Sequence, residues 1–378
     1  MSPIEKRWLR IFVSCETQAG TQNLNRLPLR DRHIYIEADS NLLKSINKAV
    51  KDELVMDKQK FNSLIVVKLL VYAGLSCACY ACLYLIVNPV QFVLCFIGFG
   101  FAILLFAFNF GHDFSHGTIF KRSAWNDWSF IFLYALNGAH AESWKKRHIE
   151  SHHFAPNVEH YDSDLEISNL IRVIPQGSYQ WLHRFQHFYA PLAYTTYSLY
   201  WVFIKDFVIF FNTERKSARY VISFTTQKLF YLFYLFVLPL MVSHQPWYVV
   251  LAGFLVMHLC QSLFLLFTFF MTHHVEGVEY PSIDESGYIK TSWVMNQIRS
   301  SNDMHPFSEA ANFIFGGFNN HIAHHLFPHI HHIHYPKLNE VLYRVLLEQG
   351  IVPNQTTYWG GICSHLRLLK MMSRPPEH

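Results

Sequence analysis

"FGFAILLFAFNFGHDFSHG", residues 99–117, passes without a break from a long apolar run into two histidines and an aspartate. About 20 apolar residues cross a bilayer as a helix, and the stretch 89–110 that contains this run carries no charge. His112 and His116 therefore stand where a membrane segment ends, four residues apart and so on one helical face.

Three more stretches have the length and apolarity to span: 63–87, 224–243 and 246–272. Only "NP" separates the first pair and "HQP" the second, and proline just past a helix end fits a tight reversal. The pattern predicts two helical hairpins. The apolar stretch 128–139 is too short to cross, and 186–211 is broken by Pro191 and runs into the charges of "KDF", which predicts an interfacial helix. Neither hairpin turn contains Lys or Arg, whereas residues 1–60, 111–223 and 273–378 hold nearly all of them. The positive-inside rule puts those three segments, and both termini, in the cytoplasm. The expected fold is an all-α integral membrane protein whose four spans carry a cytoplasmic helical cap. Three parts follow: an N-terminal cytoplasmic segment (1–60), a membrane domain (61–345) and a cytoplasmic tail (346–378). Leu42, Leu43, Ile46, Ala49, Val50 and Leu54 recur at helical spacing, so 39–60 is read as an amphipathic helix leading into the first span.

Composition agrees. Of 378 residues, 51% are hydrophobic and only 15% charged, against about 25% charged in a soluble globule, so much of the surface faces lipid. A net charge of +4 without a basic run argues against a nucleic-acid partner. Cys77, Cys79, Cys82 and Cys95 lie inside apolar stretches and read as free thiols rather than a disulfide or zinc set. No apolar stretch precedes residue 61, so no secretory signal is expected.

The 24 histidines need an explanation. Three clusters stand out: "HDFSH" (His112, His116), "HIESHH" (His148, His152, His153) and "HIAHH" (His321, His324, His325). Each aims at least two imidazoles in one direction if helical, and the topology puts all three on one side of the membrane. Eight imidazoles exceed what one four-coordinate zinc takes and suit two metal ions. A ninth comes from "FFMTHHVEG" (269–277), which ends the fourth span as His112 ends the second; of its pair, His273 is favoured over His274. His33, His183, His187, His244 and His258 are scattered and carry no assigned role, while "FPHIHHIHYP" (327–336) reads as structural or as an outer support of the site. Ligation by nitrogen with almost no carboxylate or thiolate suits iron, copper or zinc. A metal carrier would place ionisable groups inside its spans, and these spans are nearly free of them, His258 being the main exception.

At these residues the chain resembles the membrane fatty acid desaturase superfamily, whose mark is three histidine boxes, H-x3-H, H-x3-HH and H-x2-HH. The resemblance covers about residues 40–345. It extends to "WKKRHIESHH" (144–153), "YDSDLE" (161–166) and "GGFNNHIAHHLFPHIHHIHYPKL" (316–338), the last similar to the bacterial acyl-lipid and linoleoyl-CoA desaturase-like branch. It implies a di-iron centre held by His112, His116, His148, His152, His153, His273, His321, His324 and His325, with Asn319, Asp113, Asp162 and Asp164 supporting the ligands. The implied reaction consumes O2 and removes one hydrogen from each of two neighbouring carbons of a fatty acyl chain linked to lipid, CoA or carrier protein. No catalytic residue beyond the metal centre is implied. A hydroxylase, ketolase or acetylenase would use the same boxes. Front-end desaturases carry Gln where this chain has His321, a departure from that regiochemical class. No His-Pro-Gly-Gly haem motif is present, so electrons are expected from a separate ferredoxin or cytochrome b5 and its reductase. The bacterial branch implies a bacterial inner membrane.

Overall fold

The computed structural model describes residues 32–165 and 170–375. Residues 1–31 of the expected N-terminal segment and 376–378 of the expected tail lie outside the described residues. Among the described residues, four helices are long and apolar enough to cross a membrane: span 1 (Lys58–Leu85), span 2 (Pro89–Ser115), span 3 (Ala218–Val242) and span 4 (Trp247–His273). Each pair forms a hairpin, as the sequence predicts. Local chemistry sets where they begin. Asp57 accepts from the Gln59 and Lys60 amides, Asn88 from those of Val90 and Gln91 with Pro89 in the first turn, and Ser217 from that of Tyr220. These side chains satisfy amides that a helix start leaves without partners.

Lipid offers no hydrophobic drive to bring apolar helices together, so close backbone approach and polar ties must do it. Spans 2 and 4 meet through two glycines. A Cβ on Gly100 would stand 2.4 Å from Met257 Cγ, and one on Gly253 would stand 2.6 Å from Phe96 Cδ2. At the hairpin ends, the Gln245 amide donates to the Ile86 and Val87 carbonyls at 3.2 and 2.6 Å, locking one turn to the other. Deeper in the bundle, His258 of span 4 bonds the Tyr231 hydroxyl of span 3 at 2.7 Å and the Ser198 hydroxyl, also at 2.7 Å. Both ring nitrogens are used, so the intramembrane imidazole is a cross-brace.

The stretch read as an interfacial helix is helical but breaks elsewhere than at its proline. Pro191 lies inside the helix Gln186–Tyr194, and the interruption falls at Thr195 and Thr196, whose hydroxyls bond back to the carbonyls of Leu192 and Ala193 at 2.7 and 2.8 Å. A hydroxyl competing for the local carbonyls ends the helix more effectively here than the proline does. Residues 197–212 then continue as helix past a π turn at Trp201–Lys205. This run is anchored by a buried ion pair. Lys228 Nζ of span 3 lies 2.6 Å from Asp206 Oδ2 and also donates to the Gly138 and Val202 carbonyls, while Asp206 takes the His140 amide and the Trp201 indole.

Over the bundle sits the helical cap. The amphipathic helix runs Glu37–Glu53 and is separate from span 1 rather than continuous with it. Its buried Leu42, Ile46 and Val50 pack against Val294, Ile298, Leu338, Leu342 and Leu346, each fully buried side chain contributing about 1.5–3 kcal/mol. The helix thus holds the cap together and points its charges to solvent. Beyond residue 345 the chain pairs Asp303–Met304 with Gln355–Thr356 in a two-stranded parallel ribbon and then packs the helix Tyr358–Met371 beside span 4, with His365 stacked on Phe270 at 5.0 Å. Lys228→Met leaves the buried Asp206 without its cation and is expected to destabilise the fold by about 3–5 kcal/mol. Thermal unfolding in detergent checks this, and Lys228→Arg retains most of the stability.

Candidate metal centre

Span 2 ends in a π turn, Ala107–Gly111, directly before the helical turn that carries His112 and His116. The Asn109 amide of that π turn donates to the carbonyls of Leu105 and Ile314, both at 2.9 Å. Gly316, with φ at +60°, lies so close that a Cβ there would meet the Phe108 carbonyl oxygen at 2.4 Å. Only glycine fits this left-handed approach without strain, and it draws the third histidine cluster onto the end of span 2. The second cluster also lies on a π turn, His148–His152, with the His153 amide bonded to the His148 carbonyl at 2.9 Å.

All nine histidines singled out in the sequence come together, in two groups. His112, His116, His148, His153 and His324 form one, and His152, His273, His321 and His325 the other. Within each group the candidate ligand nitrogens lie within 4.8 Å of one another. The groups adjoin, with the His153 and His325 rings stacked at 4.6 Å. Regular helical spacing predicts that His148 and His152 share a face, and their rings do stack at 5.6 Å; the π turn adds His153, whose Nε2 meets that of His148 at 3.0 Å, while His152 also reaches the other group. The third cluster keeps ordinary spacing, His321 and His325 together and His324 apart. His274 bonds the Tyr280 hydroxyl at 3.0 Å and joins neither group.

The hydrogen bonds show what these imidazoles lack. His273 Nδ1 bonds the Ser300 carbonyl at 2.8 Å, and a carbonyl can only accept, so the proton is on Nδ1 and Nε2 carries a lone pair. His152 Nδ1 faces Asp162 at 3.0 Å and His325 Nδ1 faces Gln297 Oε1 at 2.9 Å, with the same consequence. Yet His273 Nε2 stands 2.6 Å from His321 Nε2 and 3.3 Å from His325 Nε2. In the first group His148 Nε2 lies 3.2, 3.3 and 3.0 Å from the Nε2 atoms of His112, His116 and His153. His152, His273 and His325 thus turn Nε2 lone pairs toward one buried place, an arrangement that a cation would satisfy. Nitrogen-rich sets of four and five donors fit transition metals and not magnesium or calcium.

Electrostatics favour neutral, metal-ready rings. Burial, reinforced by neighbouring imidazoles, holds His148, His153, His321, His324 and His325 well below the ordinary imidazole range. His152 is raised, because the attraction and hydrogen bond of Asp162 outweigh its burial. Asp162 is itself fixed by the amides of Asn157 and Asp164, both at 2.9 Å. Asp164 pairs with Arg147 at 2.5 Å, which overcomes burial and holds its carboxyl at about 2, and it stands 3.9 Å from His152. Asp113 touches none of the nine; it bonds His332 Nδ1. Asn319 is fully buried, with neither amide atom of its side chain partnered among the described residues. Sequence reasoning does not reach Gln297, the Ser300 carbonyl, or Tyr335, whose hydroxyl lies 3.3 Å from His324 Nδ1. It could have reached Trp144, stacked on His148 at 4.3 Å, because the two are four residues apart on one face.

Beside the second group lies a cavity. His152, His273, Arg147 and Asp164 line its polar side, while Trp144, Tyr197, Trp201, Leu266, Phe269 and Phe270 form apolar walls.

Two outcomes are expected. Asp162→Asn removes the charge that orients His152 and loosens metal retention by about 10–100-fold, measured as release to a chelator. For the metal-free protein, the depressed imidazoles take up protons in the unfolded chain near pH 6.5 but not in the fold. Stability is therefore present above that pH and lost below it, since one raised His152 cannot offset them. Melting temperatures recorded from pH 7.5 down to 5 should fall, with the loss reduced by added metal.

Comparison with known proteins agrees with this geometry. A family model described as fatty acid desaturase matches residues 88–357. An acyl-lipid (8-3)-desaturase of Physcomitrium patens is 30% identical over 271 residues, covering 68% of this chain and 56% of its own. The sn-1 linoleoyl-lipid 6-desaturases of Arthrospira platensis and Synechocystis sp. are 27% and 29% identical, covering 74% and 76% of this chain and 77% and 82% of theirs. The chain thus spans just over half of the moss relative and about four fifths of the cyanobacterial ones. With its four helices long and apolar enough to span a membrane and its histidine-lined candidate metal site, this chain belongs to the fatty acid desaturase family, a family of oxidoreductases.

Proposed function

We propose that the chain is an O2-dependent acyl desaturase that holds two iron ions, one in each imidazole group, and places a double bond in a fatty acyl chain. The observation that carries this reading is the pair of adjacent, imidazole-only groups whose Nε2 atoms face one another. Iron bound there would supply, with O2 and electrons, the oxidising power that an unactivated methylene demands and that no acid–base side chain can provide. The protein's own residues do the rest. His112, His116, His148, His153 and His324 would hold one ion, and His152, His273, His321 and His325 the other, with Asp162, Gln297 and the Ser300 carbonyl fixing ring orientation. Asn319, with its free buried amide, is a further support of the site.

The cavity walled by Trp144, Tyr197, Trp201, Leu266, Phe269 and Phe270 would take the acyl chain from the bilayer and exclude water from the reacting carbons. A lipid-linked acyl group is the favoured substrate form, since the relatives are named as acyl-lipid and linoleoyl-lipid desaturases; CoA or carrier-protein esters are the alternatives. Electrons come from a separate ferredoxin or cytochrome b5 and its reductase. The absence of Lys and Arg from residues 86–88 and 243–246 supports placing the metal cap and both ends of the chain in the cytoplasm, at the inner membrane of a bacterium.

Acyl-group mass spectrometry on cells expressing the chain tests the reading. Product lighter by two hydrogens is expected, and product heavier by one oxygen would mark a hydroxylase instead. His152→Ala and His324→Ala, one from each group, are each expected to lower bound iron and to cut product by more than the 10–100-fold typical of losing an outer partner. Unchanged product in both variants overturns the proposal.

A further inference from the structure

Residues 300–304, "SSNDM", supply none of the nine histidines, yet all of them are fully buried. They run between the two segments that bring His273, His321 and His325 to the second group. On one side the Asn302 main-chain amide donates to the Thr272 carbonyl at 2.8 Å, and its side chain donates to the Met271 carbonyl at 2.7 Å. These bonds fix the end of span 4 just before His273, whose Nδ1 meets the Ser300 carbonyl. On the other side the Met304 amide donates to the Asn319 carbonyl at 2.7 Å, and Asp303 Oδ1 accepts from the Ile322 amide at 2.9 Å. Asp303 Oδ2 accepts from the Tyr343 hydroxyl, also at 2.9 Å.

The helix His321–Leu326 needs such outside help. It is six residues long, too short to hold its shape alone, and the residue before it, Asn320, makes no side-chain cap to it. Asn320 is committed elsewhere: its Nδ2 donates to Asn312 Oδ1 at 2.9 Å, and its Oδ1 accepts from Asn339 at 2.8 Å. The first amides of a helix have no partner within it, so Asp303 does from 19 residues away what a cap residue does locally. An amide can only donate, which makes Asp303 Oδ1 the acceptor however the Tyr343 hydroxyl turns. We propose that Asp303 is a positioning residue for the second imidazole group. Through the Ile322 amide it sets the helix that carries His321 and His325 against His273, which the same buried stretch orients. The two sides must agree closely, because His273 Nε2 and His321 Nε2 stand 2.6 Å apart. Of the first group, this helix carries His324 alone, so that group depends on Asp303 less.

This inference rests on the reading of the two imidazole groups as metal sites, and one experiment tells the two failures apart. Metal-free protein in detergent is titrated with Co2+, and each ion is followed by its visible d–d band and by competition with a chelator. The bands are assigned by which of them His116→Ala or His273→Ala removes. Asp303→Ala takes away the acceptor and is expected to loosen the ion of the second group by about 10–100-fold and to shift its band, with a smaller change at the first. Asp303→Asn keeps an oxygen for the Ile322 amide and is expected to stay near wild type at both ions. Asp303→Ser, whose oxygen ends one bond short of the carboxylate's, should follow Asp303→Ala and replaces it if the alanine variant does not fold. A merely structural role would lower the melting temperature of the metal-free protein and weaken both ions alike. Equal loss at the two ions, no loss in the alanine and serine variants, or an asparagine variant as weak as they are overturns the role of Asp303 alone. A wild type that takes up no cobalt overturns the two-group reading, and this inference with it.

Discussion

Ring nitrogens packed against ring nitrogens are the constraint on which this structure depends. Nine imidazoles in two groups, all but His116 buried, bring Nε2 atoms as close as 2.6 Å, a geometry that a cation between the rings would satisfy. Protonating the rings to supply that charge carries a high cost in desolvation. The fold instead keeps most of the rings neutral, and so ready to coordinate a metal. Metal binding and the stability of the cap are in this way one quantity.

The supporting chemistry is uneven, and the unevenness is informative. The second group is braced by a carboxylate, a main-chain carbonyl and a side-chain amide, on His152, His273 and His325 in turn. The first leans on aromatic stacking, Trp144 against His148 and Phe318 against His112, the latter at 4.6 Å. The cavity opens beside the better-braced group.

Placement at the bilayer edge solves a second problem. Nine imidazoles and their carboxylates could not sit at the midplane without great cost, yet an acyl chain is most easily reached from within the lipid. Spans 2 and 4 carry His112 and His273 to one depth, glycines 100 and 253 let those spans touch, and the cap folds the other boxes down onto them.

How far could this be read without coordinates? Hydropathy and short prolyl turns define the hairpins, because a bilayer demands long unbroken apolar helices and punishes any other solution. Histidine spacing identifies the nine box residues, because ligands delivered by helices leave a periodic trace. What spacing could not divide was the set itself. It treats His148 and His152 as partners of one ion, whereas the π turn brings His153 to His148 and lets His152 reach the second group, since one extra residue per turn rotates every later side chain. Nor could it assign Asp113, whose partner His332 lies 219 residues away, or find Gln297 and the Ser300 carbonyl, which belong to a loop and short helix of no special composition. Apolar length and imidazole count are properties of a linear string. Which nitrogen faces which depends on distances that exist only once the distant segments have packed.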